Sequence, residues 1–388
     1  MSFSNKFHIT IIGAGIIGLT TACTLLKEYS LNDNFQLIII SEKFSPETTG
    51  DILAGYWEPY GFESIDERIL RWASYTYDIF LSEFFSIKAA QAGIMKMSAY
   101  TLQGFDGKNN HKNIFGPQFS TLVRHFRMLD KYEIGKFDHL KPTSGYVMPT
   151  ITIEVRYYLR ELRRFLAQDF RVKFIKKKIH SFNELMHKTD IIINCTGIGA
   201  RQLANDQTVR PARGQIIRIH APWIKSVYNF DTDEGEAYII PQSNSVVLGG
   251  TFQIDNWNSS TLKNDTKKIL RMCSKCLPAL KRIHYGNVQV GLRPYRDDGV
   301  RLEHEKTTDG MNVVHCYGHS GSGITLSWGC ARDVVEIIKK LVPFDSKQQE
   351  EIQNKLPLHE QLCRFSTFFR NIVLNDSNKH VNTEFNIN

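Results

Sequence analysis

Residues 7–19 read F-H-I-T-I-I-G-A-G-I-I-G-L, an apolar strand pattern that runs straight into a glycine turn and on into a helix pattern. Gly13, Gly15 and Gly18 stand at G-x-G-x-x-G spacing. The first allows a tight turn, the second lets a pyrophosphate approach the backbone, and the third lets helix pack on strand. Glycines at this spacing also suit plain close packing, so the flanks decide. Residues 7–12 are apolar, 16–29 are helix-like, and 36–40 form a second apolar run that closes on Ser41, Glu42 and Lys43. That is a βαβ unit, with a dinucleotide pyrophosphate expected at the helix N-terminus, where free N–H groups and the helix dipole favour an anion.

Working outward, 388 residues with 42% hydrophobic and 23% charged composition suffice for one large core or two moderate ones. No apolar run approaches the roughly 20 residues of a membrane span, and the short stretch before the first strand leaves no room for a signal peptide. No membrane association is expected. The net charge of +8 is modest and dispersed, and the basic cluster at 173–178 reads as a solvated edge. Nucleic acid is therefore not an expected partner, although steering of anionic substrates is compatible with this charge. Seven cysteines without a signal sequence indicate free thiols in a reducing compartment. Cys273 and Cys276 form a single C-x-x-C with no second pair, so no metal site is expected. Asn258 and Asn264 begin glycosylation sequons, which matter only in a secreted chain.

Residues 44–60 are too rich in turn formers for one regular element and too apolar for disorder, as a packed functional loop would be. Residues 64–85 have helical spacing, and 95–139 mix short β-like runs with turn formers. Val155, Tyr158, Leu159, Leu162, Phe165 and Leu166 follow the 3.6-residue period, and 172–175 predict a strand. Residues 190–194, D-I-I-I-N, form a buried strand pattern that ends in Cys195, Thr196 and Gly197, a second strand-to-glycine turn. From 214 to 252 short β runs alternate with Pro, Asn and Gly, which predicts a second domain on an antiparallel or mixed sheet. Residues 313–317 return to a strand and lead through G-H-S-G-S-G at 318–323 into a helix, whose N-terminal amides could stabilise negative charge on a cofactor ring.

Together these segments resemble the D-amino-acid oxidase and D-aspartate oxidase family of flavoproteins over about residues 7–341. The resemblance rests on I-G-A-G-I-I-G-L at 12–19, the T-T-x-D-x-x-A-G-x-W-x-P-Y run ending at Tyr60, N-C-T-G at 194–197, R-G-Q at 213–215, A-P-W at 221–223, Y-I-I-P at 238–241, L-G-G at 248–250, G-L-R-P-Y-R at 291–296, and Y-G-H-S-G-S-G at 317–323. It implies an α/β fold: a Rossmann-like FAD-binding domain, discontinuous in sequence (1–70, 151–200 and 286–343), and a mixed or antiparallel-sheet substrate domain (71–150 and 201–285). Residues 344–388 would be a partly disordered extension.

Carried over residue by residue, the cofactor contacts implied are Gly13, Ala14, Gly15, Ile17 and Gly18 in the first loop, and Glu42 and Lys43 after the second strand. Thr49, Gly50 and Tyr56 would follow, Ile179 would lie on the adenine side, and Ser320, Gly321, Ser322, Gly323 and Ile324 would line the flavin ring. Glu42 and Lys43 also fit a plain exposed turn. For chemistry, Arg293 would clamp the substrate carboxylate through its planar guanidinium. Tyr238 would donate a further hydrogen bond, and the Gly321 carbonyl would accept one from the amino group. The alternative for Arg293 is an ion pair with Asp297 or Asp298. The family's reaction moves the α-hydrogen as hydride to the flavin, which oxygen reoxidises to give peroxide, while the imino acid hydrolyses to a 2-oxo acid and ammonia.

Two branches compete. G-L-R-P-Y-R and R-Q-L-A-x-D at 201–206 resemble the D-aspartate branch, yet that branch's second arginine is Phe252 here. Residues 229–237, which resemble the active-site lid, carry Asp231, Asp233, Glu234 and Glu236, and Trp57, Pro59 and Tyr60 resemble the neutral branch. The expectation leans to acidic D-amino acids, with neutral or basic ones as the alternative; Arg213 or Arg218 would then have to meet a second carboxylate. Two other classes stay open: a nicotinamide-dependent dehydrogenase with Lys43 on a 2′-phosphate, and a flavin-binding interaction protein without turnover. A homodimer is left open. The location expected is cytoplasmic, or peroxisomal by resemblance, although the chain closes on F-N-I-N rather than the family's targeting tripeptide.

Overall fold

A computed structural model describes residues 7–29, 35–52, 54–61, 66–104, 117–170 and 172–342; the expected extension at 344–388 lies outside them. In chain order the strands are β1 (Phe7–Ile12), β2 (Phe35–Ser41), β3 (Ile94–Gln103), β4 (Arg127–Met128), β5 (Ser144–Ile153), β6 (Lys173–Lys176), β7 (Ile191–Asn194) and β8 (Val209–Ile219). They continue with β9 (Val227–Thr232), β10 (Gly235–Pro241), β11 (Val246–Gly249), β12 (Gln253–Ile254), β13 (Tyr285–Arg296), β14 (Arg301–Lys306) and β15 (Asn312–Tyr317). The longer helices are α1 (Ile16–Tyr29), α2 (Glu67–Phe84), α3 (Val155–Gln168), α4 (Lys263–Cys276) and α5 (Gly323–Leu341).

β1 is covered on both faces, which is why its sequence is apolar but for His8 and Thr10. Ile9 and Ile11 face the core that holds α1 and α5, while Ile12 packs on the other side with Ile40, Ile179 and Ile192. The strand sits inside a six-stranded sheet of order β14-β15-β7-β1-β2-β6. β15, β7, β1, β2 and β6 run parallel, and β14 closes one edge antiparallel to β15. α1 and α5 lie together on one face, where the Thr20 hydroxyl reaches the Ser327 carbonyl at 3.3 Å.

The second sheet has nine strands, ordered β12-β8-β11-β10-β9-β3-β5-β4, with β13 also paired to β8. Only β3 and β9 pair in parallel, so it is a mixed sheet. Beneath it Ile269, Met272, Cys273 and Cys276 of α4 join Ile217, Ile239 and Leu248 in one core. The C-x-x-C is thus one apolar face of a helix, and burial pushes the Cys276 thiol up to about 12.

Three of the expected domain boundaries fall inside the elements named above, the one at 151 within β5, which pairs with β3 as far as Ile153. Residue 71 falls inside α2, which packs on α5: Gly329 N donates to Thr76 Oγ1 at 3.0 Å, and a Cβ on Gly329 would stand 2.3 Å from the Trp72 Cα. The chain leaves the second sheet after β13 rather than at residue 286, because β13 pairs with β8 from Tyr285 to Arg296.

Candidate active site

The parallel strands deliver their carboxyl ends to one edge, and the loops that follow them line a cavity of about 460 Å³. Gly13, Ala14, Gly15 and Ile17 follow β1, Ser41, Glu42 and Lys43 follow β2, Cys195, Thr196 and Gly197 follow β7, and His319, Ser320 and Gly323 follow β15. Thr49, Gly50 and Ile179 also line it, whereas Gly18, Tyr56, Gly321, Ser322 and Ile324 of the expected set do not. A crevice at this edge is where open α/β sheets bind ligands.

The three glycines of the first loop do different work. A Cβ on Gly13, whose φ is +110°, would stand 2.3 Å from the Cys195 carbonyl oxygen, and one on Gly18 would stand 2.0 Å from that of Gly13. Both are packing requirements. A Cβ on Gly15 meets no atom within 4 Å, so its bareness serves the cavity and not the protein. The Ser320 hydroxyl is buried in the same wall with no hydrogen-bond partner among the described residues. An open approach to backbone and an orphaned hydroxyl both fit a bound dinucleotide. Ser41 was not singled out as a contact from sequence, yet its hydroxyl accepts from Ala14 N at 3.2 Å and donates to the Lys43 carbonyl at 2.7 Å, tying the first loop to the second. Lys177, Lys178, His180 and Trp257 also line this cavity and carried no sequence signal of doing so. Glu42 pairs with Lys178 at 3.6 Å, both half in solvent.

A second cavity of about 820 Å³ lies against the mixed sheet. Tyr238, Gly321 and Ile324 line it, as does Tyr56, which was expected against the cofactor and is instead placed here. Tyr56 faces β9, where Asn229 Nδ2 donates to its hydroxyl at 3.1 Å. Ser322 lines neither cavity: its hydroxyl accepts from Tyr60 N at 2.6 Å and donates to the Tyr60 carbonyl at 2.7 Å, which fixes the loop before α2.

Arg293 is the residue common to both cavities. It is 8% exposed, its Nη1 donates to the Thr251 carbonyl at 3.0 Å, and its guanidinium carbon lies 5.4 Å from the centre of the Phe252 ring. The carboxylates that could have neutralised it are committed elsewhere: Asp297 pairs with Arg210, and Asp298 with Arg296. Among the described residues no acid pairs with Arg293. A buried guanidinium without a carboxylate partner suits an anionic ligand. Tyr238 stands beside it; burial raises its pKa, and the neighbouring Arg293 charge works in the opposite direction. The hydroxyl therefore remains a proton donor at neutral pH.

The segment resembling a lid is a hairpin. β9 and β10 are joined through Asp233 and Glu234 alone, and both acids are held by α4, Asp233 by Lys275 and Glu234 by Arg271. Arg213 and Arg218 do not reach the cavity. Arg213 is fully buried and saturated, with Asp265 at 2.6 Å and the Asn258 carbonyl at 2.7 Å among its acceptors, and Arg218 Nε donates to Gln289 at 2.9 Å. Glu58, overlooked in the sequence, lies in this cavity wall.

The sequence profile of the FAD-dependent oxidoreductase family called DAO matches residues 8–337. The chain belongs to that family. The protein is thus an FAD-dependent oxidoreductase, which displaces the nicotinamide reading, and the lining of the first cavity fits FAD. A D-amino acid oxidase of Dugesia ryukyuensis is 37% identical over 350 residues, covering 86% of this chain and 98% of that protein. A D-aspartate oxidase of Homo sapiens is 33% identical, covering 86% and 95%. The two branches are therefore both represented among similar proteins. Glycine oxidase from Bacillus cereus shares the fold, with a TM-score of 0.68 at 17% identity over 87% of this chain and 96% of that one. No described helix is long and apolar enough to cross a membrane.

Proposed function

We propose that the protein catalyses FAD-dependent oxidative deamination of D-amino acids, yielding 2-oxo acids, ammonia and hydrogen peroxide. The observation that carries this reading is Arg293, buried, without an acidic partner, and set where the two cavities meet. The α-carboxylate lies on its guanidinium and accepts a further bond from the Tyr238 hydroxyl. The Gly321 carbonyl, in the same wall, takes the amino group. Two fixed points on the substrate orient its Cα–H toward the cofactor side, so alignment is the protein's main contribution. FAD, when bound, supplies the hydride acceptor and the route to oxygen. The apolar faces of Phe252 and Tyr60, edge to face with centroids 5.9 Å apart, exclude water from the clamp.

The acidic preference finds limited support. Phe252 occupies the place of a second arginine, and Lys268 is the other lysine or arginine lining the cavity among the described residues. The test is a peroxide assay over a panel of D-amino acids with FAD-loaded protein, with Arg293→Leu as control. Peroxide from D- but not L-amino acids, lost by two or more orders of magnitude in the variant, is expected. Bound FAD with no peroxide from any D-amino acid would favour a flavin-binding protein without turnover.

A further inference from the structure

Glu58 lines the substrate cavity together with Asp231, Glu234 and Glu236, and the clamp uses none of these carboxyl groups. The backbone of Glu58 is pinned by α5, its N–H donating to Thr325 Oγ1 at 3.2 Å while that hydroxyl donates to the Glu58 carbonyl at 2.9 Å. Trp57 beside it is fixed to β5, with its N–H on the Ile151 carbonyl at 2.9 Å and its own carbonyl accepting from Thr150 Oγ1 at 2.8 Å. The side chain is held just as firmly. Oε1 accepts from the Tyr146 hydroxyl at 3.1 Å, Oε2 from Asn229 Nδ2 at 3.3 Å, and the Tyr56 hydroxyl adds a third bond.

All three donors are neutral, and among the described residues no Lys, Arg or His pairs with Glu58. A carboxylate offers about four acceptor positions, so the constellation leaves one toward the cavity. Burial pushes its pKa up to about 7, the bonds from Tyr146 and Tyr56 pull it down, and Glu236 on β10 raises it. Asp231 and Glu234 also line the cavity, the first accepting from Gly104 N at 2.9 Å and the second tied to Arg271. Against these stand Lys268 and Arg293.

We propose that Glu58 is the recognition group for a cationic substrate side chain, so that D-amino acids bearing an amine or guanidinium, such as D-lysine and D-arginine, are the preferred substrates. The proposal rests on the reading of Arg293 as the α-carboxylate site. With the α-carboxylate there, a side chain reaching along the cavity meets a preset carboxylate whose missing partner is a cation. A dicarboxylate would bring like charge to the same wall.

The experiment measures kcat/KM for D-lysine against D-norleucine, the same chain without the amine, in FAD-loaded wild type, Glu58→Gln and Glu58→Asp. A ratio above one in wild type is expected, falling at least ~10-fold in Glu58→Gln and lying between in Glu58→Asp, as loss of a charged hydrogen bond implies. Equal losses on both substrates would place Glu58 on the α-ammonium group and overturn the proposal, as would a preference for D-aspartate. If Glu58→Gln does not fold, the wild type decides alone: the ratio must climb between about pH 6 and about pH 8, as Glu58 ionises while the lysine amine stays charged. A flat ratio overturns it. No peroxide from any D-amino acid defeats the reading of the site itself, whereas oxidation of D-norleucine without any preference for D-lysine defeats only the role of Glu58.

Discussion

Arg293 lies directly on the bare backbone of Gly214: a Cβ on that glycine would stand 2.1 Å from Nη1 and 2.5 Å from the guanidinium carbon. R-G-Q on β8 and G-L-R on β13 face each other in register, Gly214 opposite Gly291 and Ala212 opposite Arg293. Two motifs far apart in the chain are one device, a glycine that makes room for an arginine. Gly214→Ala is expected to displace the guanidinium and cost ~3 kcal/mol of transition-state binding, or ~10²-fold in kcat/KM. Adding Arg293→Leu to it should cost little more, since both remove the same contact. Steady-state peroxide kinetics on the three variants check this; additive losses would separate the two residues.

The glycines of the first loop should behave unequally. Gly15→Val places its Cβ where no protein atom lies within 4 Å, so the fold is expected to survive and FAD affinity to collapse. Gly13→Ala, at φ +110° and facing the Cys195 carbonyl, should lower the Tm of the apoprotein itself. Thermal melts of apoprotein and flavin titrations distinguish the two, and a Gly15→Val protein that keeps its yellow colour and affinity would contradict the assignment of the pyrophosphate to this loop.

Phe252 lies against the Arg293 guanidinium, with Tyr60 and Tyr295 edge-on to its ring. Phe252→Arg should raise kcat/KM for D-aspartate relative to D-methionine. It should also lower Tm, through loss of the cation–π contact and repulsion between two guanidiniums. A wild type that already prefers D-aspartate, and gains nothing from the substitution, would point to Lys268 as the second cation.

Glu83 is 2% exposed, accepts from the Tyr158 hydroxyl at 2.9 Å, and has its pKa pushed up to about 8 by burial. A carboxyl with a raised native pKa binds its proton more tightly folded than unfolded. Its stabilising contribution is complete below the unfolded value of about 4.3 and declines as pH rises toward 8. Melts of wild type and Glu83→Gln from about pH 5 to about pH 8 should therefore show the wild type losing ground to the variant as pH rises. A constant difference across that window would place the ionised form inside the fold already at pH 5.

The nucleotide half was the more legible because its strands are buried on both faces and its turns need glycine, so apolar runs and glycine spacing coincide at β1, β7 and β15. β14, R-L-E-H-E-K, carries charges along an exposed edge and shows no such run. In β13, glycine and proline conceal twelve residues of strand. α4 has a clear apolar face in Ile269, Met272, Cys273 and Cys276, but the same spacing reads as C-x-x-C, and only packing separates the two. Tyr56 and Glu58 were beyond reach for a different reason. In an irregular loop, successive side chains have no period, so which cavity each enters depends on Asn229 and Tyr146, more than 80 residues away.

The two-residue connection between β9 and β10 bears on traffic through the site. A long flap would have to swing before product could leave; here the rim is a tight turn whose acids are tethered to α4 by Arg271 and Lys275 at the surface. Exposed ion pairs weaken as added salt shortens the Debye length. If departure of the 2-oxo acid sets the turnover rate, kcat should respond to ionic strength, and cutting both tethers with Arg271→Ala and Lys275→Ala should abolish that response.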